Sequence, residues 1–146
     1  MNLNKYSRQI ALPFIGIDGQ ICLFQKKILI IGAGALSHSS SVYLATSGIG
    51  DISIIDFDII EESNLSRQIF FRHEDIGKYK AEILSKYLQN NNKDLNIQFY
   101  NMKFTEDIFN SMNTKFDLIL NASDNFATRK IINRISLKHN IPWVDI

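Results

Sequence analysis

The chain has 146 residues, of which 45% are hydrophobic and 21% charged, and its formal net charge is +1. This is a globular rather than a disordered composition, and it leaves no basic surplus for a nucleic-acid partner. No apolar run approaches the ~20 residues that span a bilayer, and the opening MNLNKYSRQI has no apolar signal core, so the sequence predicts a cytoplasmic protein with no membrane partner.

One domain, residues 1–146, is expected at this length. The single cysteine, Cys22, excludes an internal disulfide and a zinc site built from this chain's cysteines. A partly helical segment is expected over 18–26, with Cys22 as a buried, inert thiol on it. KILIIGAG, residues 27–34, is an apolar, β-branched run closed by glycines, which reads as a strand buried on both faces. A helix is expected over 35–47, with Leu36, Tyr43 and Leu44 sharing one face and Gly48 and Gly50 ending it. DISIID is the second strand. KYKAEILSKYLQ, from Lys78, places Ala81, Leu84 and Leu88 on one stripe of an amphipathic helix. NIQFYN is a third strand, and TEDIFNSM a short helix opened by a Thr cap. FDLILNAS is a fourth strand, residues 125–140 a helix with Ile131, Ile132 and Ile135 inward, and IPWVDI the beginning of a fifth strand that includes Trp143.

Strands alternating with helices predict an α/β fold. The expected object is a Rossmann-like, open, mainly parallel sheet with helices on both faces, stopping after its fifth strand. In such sheets ligands sit beyond the carboxyl ends of the strands, and the chemically loaded residues fall there.

The first strand ends in GAGALS, where Gly32, Gly34 and the backbone at Ala35 suit a phosphate facing a helix N-terminus. Glycines that merely close a strand are the plainer alternative. Asp56 ends the second strand at a separation suited to a ribose acceptor, or else to a solvated turn. SNLSRQ then supplies Arg67, a planar fork for phosphate oxygens, with Ser63, Asn64 and Gln68 as neutral donors. Lys80 opens the next helix and adds a point charge. The fourth strand ends at NASDN, where Asp124 is placed to hold Mg²⁺ and Asn125 either contacts a ligand or caps the following helix. Glycine amides, a ribose acceptor, two cations and a metal carboxylate suit a nucleoside triphosphate better than a dinucleotide. His38, His73 and His139 are too scattered for a metal site and read as solvated or core residues.

The runs YSRQI, GIDGQ, ILIIGAGAL, YLATSGIG, DFDIIEESNLSRQIFF, EDIGKYKAE and SDNFATRKIIN together resemble the ThiF/MoeB/HesA family, bacterial relatives of ubiquitin-activating enzymes. They cover nearly the whole chain in family order, and the opening and ATRKIIN are nearer ThiF than MoeB. The resemblance implies ATP-dependent adenylylation of the C-terminal carboxylate of a ubiquitin-like sulfur carrier, ThiS- or MoaD-like, serving thiamine thiazole or molybdopterin synthesis. It implies ATP and Mg²⁺ as cofactors and a homodimer. Asp56 would hold the ribose, Ser63 to Arg67 and Lys80 the phosphates, and Asp124 the magnesium. Arg8 would reach into the partner subunit's site. Ile69, Phe70 and Phe71 would anchor the backbone behind Arg67 in apolar packing.

Two departures stand out. Ala35 and Ser37 replace glycines of the family's GxGGLG loop, which predicts weaker nucleotide binding. The family's second half, with its CxxC zinc ligands, has no counterpart in these residues. A fragment, a degenerate non-catalytic member, or a fold completed by another chain are the three readings of that. An NAD-dependent oxidoreductase is the remaining alternative, suggested by the glycine loop and Asp56 alone.

Overall fold

The protein is described by a computed structural model over residues 3–146, so the first two residues of the opening stretch lie outside the described residues. Five strands form one sheet: β1 (Lys27–Ile31), β2 (Asp51–Ile55), β3 (Asn96–Tyr100), β4 (Leu118–Asn121) and β5 (Trp143–Asp145). Their spatial order is β3-β2-β1-β4-β5, and every neighbouring pair is parallel. Among the described residues the helices are α1 (Ser7–Ile10), α2 (Gly16–Phe24), α3 (Ala35–Ser47), α4 (Lys80–Asn91), α5 (Glu106–Ser111) and α6 (Phe126–His139). No helix is long and apolar enough to cross a membrane.

The period-two geometry of β1 divides its apolar run between two cores. Ile28 and Ile30 join Ile52, Ile54, Ala81, Leu84 and Leu88 on the face covered by α3 and α4. Leu29 and Ile31 join Ile55, Phe109, Ile132 and Ile135 on the face covered by α5 and α6. Each fully buried Leu or Ile contributes roughly 1.5–3 kcal/mol of transfer free energy, which is why the run must be apolar at every position. The expected stripe of α4 is buried, with Ala81, Leu84 and Leu88 all at 0% exposure. Thr105 caps α5 by accepting a hydrogen bond from the Ile108 N–H at 3.2 Å. In α6, Ile132 and Ile135 are buried and Ile131 packs partly against the same core.

Three expectations fail. In α3 the buried residues are Ser37, His38, Ser41 and Ala45, whereas Leu36 and Tyr43 are 56% and 74% exposed and only Leu44 packs on the core. The buried edge of α3 is mainly small, with Ser37, Ser41 and Ala45 permitting close approach to the sheet and His38 the one large side chain among them, while Leu36 and Tyr43 are turned away. Cys22 is exposed rather than buried. Ile69 is 71% exposed, so Phe71, with Phe70 half-buried beside it, carries the anchoring behind Arg67.

The N-terminal segment is latched to the end of α3. Gln9 and Gln20 each donate to the Ser47 carbonyl, at 2.7 and 3.0 Å, and contact one another. Lys5 donates to Asn92 at 2.7 Å, and Asn92 donates in turn to the Ala45 carbonyl at 2.7 Å.

Candidate active site

The strand order reverses between β1 and β4, since β2 and β3 lie on one side of β1 and β4 and β5 on the other. Beyond the carboxyl ends at that switch point lies a cleft of about 410 Å³, the place where such sheets take ligands. Gly32, Gly34, Ala35, Asp56, Arg67, Gln68, Lys80, Asp124 and Asn125 all line it. Ser63, Asn64 and Arg8 do not.

Gly32 is required by geometry. Its φ is +98°, and a Cβ there would stand 2.8 Å from the Ala122 carbonyl oxygen. The loop is thus pressed against the end of β4, where the Ala122 N–H donates to Ile31 at 2.8 Å. Ala35 begins α3 and faces the cleft, and the Ser37 hydroxyl, fully buried, donates to the Gly34 carbonyl at 2.7 Å. The second family glycine is thereby replaced by a side chain that satisfies its own polar group.

Asp56 is held by two amides: the Ala33 N–H donates to one carboxylate oxygen at 2.6 Å and the Asp58 N–H to the other at 2.7 Å. Burial pushes its carboxyl above the ordinary range, while these two bonds pull the other way. Each oxygen keeps a lone pair for a further donor. The bond to Ala33 also links the ends of β1 and β2 directly. Lys80 is buried rather than solvated, and its Nζ lies 2.9 Å from Asp58, whose carboxylate is half exposed. The Asp58 carbonyl also accepts the Lys80 N–H at 3.0 Å. Asp58 therefore anchors the cation rather than facing solvent alone.

Arg67 is exposed, and Nη1 donates to the Ser63 carbonyl at 2.9 Å. Ser63 thus serves the site through its backbone. Asn64 is buried and structural: its side chain accepts the Glu61 N–H at 3.1 Å in a capping box with Glu61. Gln68 is 3% exposed, and its Oε1 has no partner among the described residues although the side chain lines the cleft. A buried acceptor left open toward a cavity calls for a donor from a ligand or water. Asn125 does cap α6, accepting the Ala127 N–H at 2.8 Å, and lines the cleft as well. Asp124 is exposed with no partner among the described residues, and these include no cluster of three or more metal-ligating acids, histidines or cysteines.

Sequence reasoning missed several contributors. Lys103, just past β3, brings a third cation to the cleft, and Phe57, Met102 and Phe104 give it an apolar wall. No motif marks them; their position just past strand ends is the only signal. Asn121, at 0% exposure, also escaped notice. It accepts the Ser123 N–H at 3.2 Å and donates to Asp145 at 2.6 Å, fixing the turn that carries Asp124.

Comparison with known proteins agrees with this geometry. The probable adenylyltransferase/sulfurtransferase MoeZ of Mycobacterium tuberculosis is 35% identical over 140 residues, 96% of this chain and 36% of its own length. The sulfur carrier protein adenylyltransferase of Thermus thermophilus is 35% identical over 142 residues, covering 97% of this chain and 52% of its own length. Across the curated relatives it matches, the chain spans from 30% to 53% of their length. Among solved structures, Escherichia coli MccB with ATP superposes with a TM-score of 0.84 at 30% identity, covering 99% of this chain and 44% of MccB. The model of the ThiF family matches residues 6–145, and the chain accordingly belongs to the ThiF family.

Proposed function

We propose that the cleft binds ATP with magnesium and serves adenylylation of the C-terminal carboxylate of a ubiquitin-like sulfur carrier. The observation that carries this reading is convergence: three cations and three carboxylates from five separate segments line one cleft beyond the sheet. The relatives named above are adenylyltransferases, and MccB is a structural neighbour solved with ATP.

In this reading the β1–α3 turn receives the phosphates on backbone N–H groups. Asp56 accepts from the ribose hydroxyls with its remaining lone pairs. Arg67 and Lys80 neutralise the polyanion, so that an incoming carboxylate is not repelled. The carboxylate oxygen attacks the α-phosphorus, the bond from that phosphorus to the bridging oxygen breaks, and pyrophosphate leaves with the electron pair. The product is a mixed anhydride of the carrier and AMP. No side chain needs to act as a nucleophile, and the protein's contribution is alignment and charge. Asp124 has the donor chemistry for magnesium, which is commonly held by one or two carboxylates plus phosphates and would add positive charge at the leaving group. Arg8 lies outside its own chain's cleft, which is compatible with action on a second copy in a homodimer.

Thermal stabilisation by ATP–Mg²⁺ against NAD, followed by ATP–pyrophosphate exchange with candidate carriers, tests the reading. Stabilisation by ATP and carrier-dependent exchange are expected. Stabilisation by NAD alone would overturn it. The non-catalytic alternative draws on Ala35 and Ser37 and predicts ATP binding without exchange.

A further inference from the structure

His38 sits on the first turns of α3, directly behind the glycine loop, and is 1% exposed. Its Nδ1 accepts a hydrogen bond from the backbone N–H of Phe70 at 3.4 Å. The imidazole lies flat against the Phe70 ring at 5.0 Å and meets the Phe71 ring edge-on at 4.5 Å. Phe70 stacks in turn on Tyr87 of α4 at 3.9 Å. A short aromatic column therefore joins α3, the segment that carries Arg67, and α4.

The imidazole is a costly choice for such a place. Because Nδ1 accepts, the neutral ring carries its proton on Nε2, and Nε2 is buried with only the Ala33 backbone beside it, in no well-formed hydrogen bond among the described residues. A phenyl ring would stack as well and bury no poorly satisfied N–H. What histidine adds is an acceptor for one amide. The N–H groups of Arg67, Gln68 and Phe71 bond within their own turn, to the carbonyls of Asn64, Asn64 and Gln68. The Phe70 N–H bonds instead across to α3. Burial lowers the imidazole's pKa to about 4 against an opposing contact with the Ala33 backbone, with Lys80 nearby adding to the lowering, so the ring stays a neutral acceptor throughout the neutral pH range.

We propose that His38 is a positioning residue: through the Phe70 amide it fixes the turn bearing Arg67 and Gln68 against the helix that follows the glycine loop. The two phosphate-facing parts of the cleft, which are far apart in sequence, are thereby set in mutual register. This inference rests on the reading that Arg67 faces the nucleotide's phosphates. An aligned guanidinium loses effect steeply when its backbone drifts.

The test compares His38→Phe, which keeps the ring and loses the acceptor, with His38→Asn, which keeps an acceptor near the Nδ1 position and loses the ring. Amide exchange at Phe70 is followed by NMR, and ATP and adenosine binding are measured in each variant and in the Arg67→Ala background. In His38→Phe the Phe70 amide should exchange at least about ten-fold faster and ATP binding weaken several-fold, adenosine binding staying unchanged. With Arg67→Ala already present, the His38→Phe loss should vanish. The asparagine variant should keep the Phe70 protection. Equal Phe70 protection in wild type and His38→Phe, or an ATP loss that adds in full to that of Arg67→Ala, would overturn the proposal. A wild-type protein that binds no ATP would instead sink the nucleotide reading, while the exchange measurement still decides whether His38 holds the turn. His38→Leu serves the same comparison if the phenylalanine variant does not fold.

Discussion

Asp56 and Arg67 line the same cleft and are held in opposite ways. Asp56 is buried, with both oxygens bound to backbone amides, and Lys80 beside it is buried against Asp58. Arg67 is exposed and bonded only to the carbonyl of Ser63, and Asp124 and Lys103 are exposed with no partner among the described residues. One part of the cleft is therefore finished at folding. The other holds exposed charges with their hydrogen-bonding capacity largely unused. Substitutions in the first part should act on stability, and substitutions in the second on binding.

The largest effect should come from Gly32→Ala. A positive φ and a Cβ 2.8 Å from the Ala122 carbonyl oxygen should together cost about 3 kcal/mol of stability, read by denaturant unfolding. A loss below about 1 kcal/mol would show that the loop yields and that this part of the cleft is not rigid. Next comes acid. The folded pKa of His38, about 4, lies below the ordinary 6.5. The unfolded chain takes up the proton first, so this stability is complete above pH 6.5 and is lost as pH falls toward 4. Its full size is about 3 kcal/mol, and His38→Phe should flatten the stability profile over that window. Arg67→Ala should weaken ATP binding by about 2 kcal/mol, as for a lost charged hydrogen bond. It should leave unfolding within about 0.5 kcal/mol of wild type, and a large loss of stability would blur the distinction between the two parts. The smallest effect should be the gain from Ala35→Gly with Ser37→Gly, up to about 1 kcal/mol in ATP affinity. Removing the Ala35 methyl clears the cleft wall, whereas Ser37 is buried and already satisfied, so most of the gain should come from position 35.

The strands could be read from the sequence because a parallel sheet buried on both faces needs unbroken β-branched runs, and KILII and DISII are such runs. The same logic misled at α3. Leu36 and Tyr43 look like a core stripe, yet the buried edge is Ser37, His38, Ser41 and Ala45, because hydrophobicity marks what tolerates burial and says nothing of how closely a helix must approach its sheet. In the site, Arg67, Lys80, Asp56 and Asp124 were visible because motif spacing places them at strand and helix ends. The burial of Lys80 and its tie to Asp58 were not, since that contact joins residues 22 apart. Lys103 was missed because a lysine after a strand is ordinarily solvated. Asn64 was assigned to the ligand when its amide is consumed by the turn it shapes, a competition that residue type alone cannot settle.

The N-terminal latch has a consequence for Arg8. Gln9, its immediate neighbour, is fastened to the Ser47 carbonyl, and Gln20 is fastened to the same oxygen. The segment that presents this guanidinium is therefore tethered to α3 within one chain. Were Arg8 to enter a partner surface, it would do so from a tethered prong rather than a loose tail, and part of the entropy of immobilising that stretch of main chain would already be lost before the encounter.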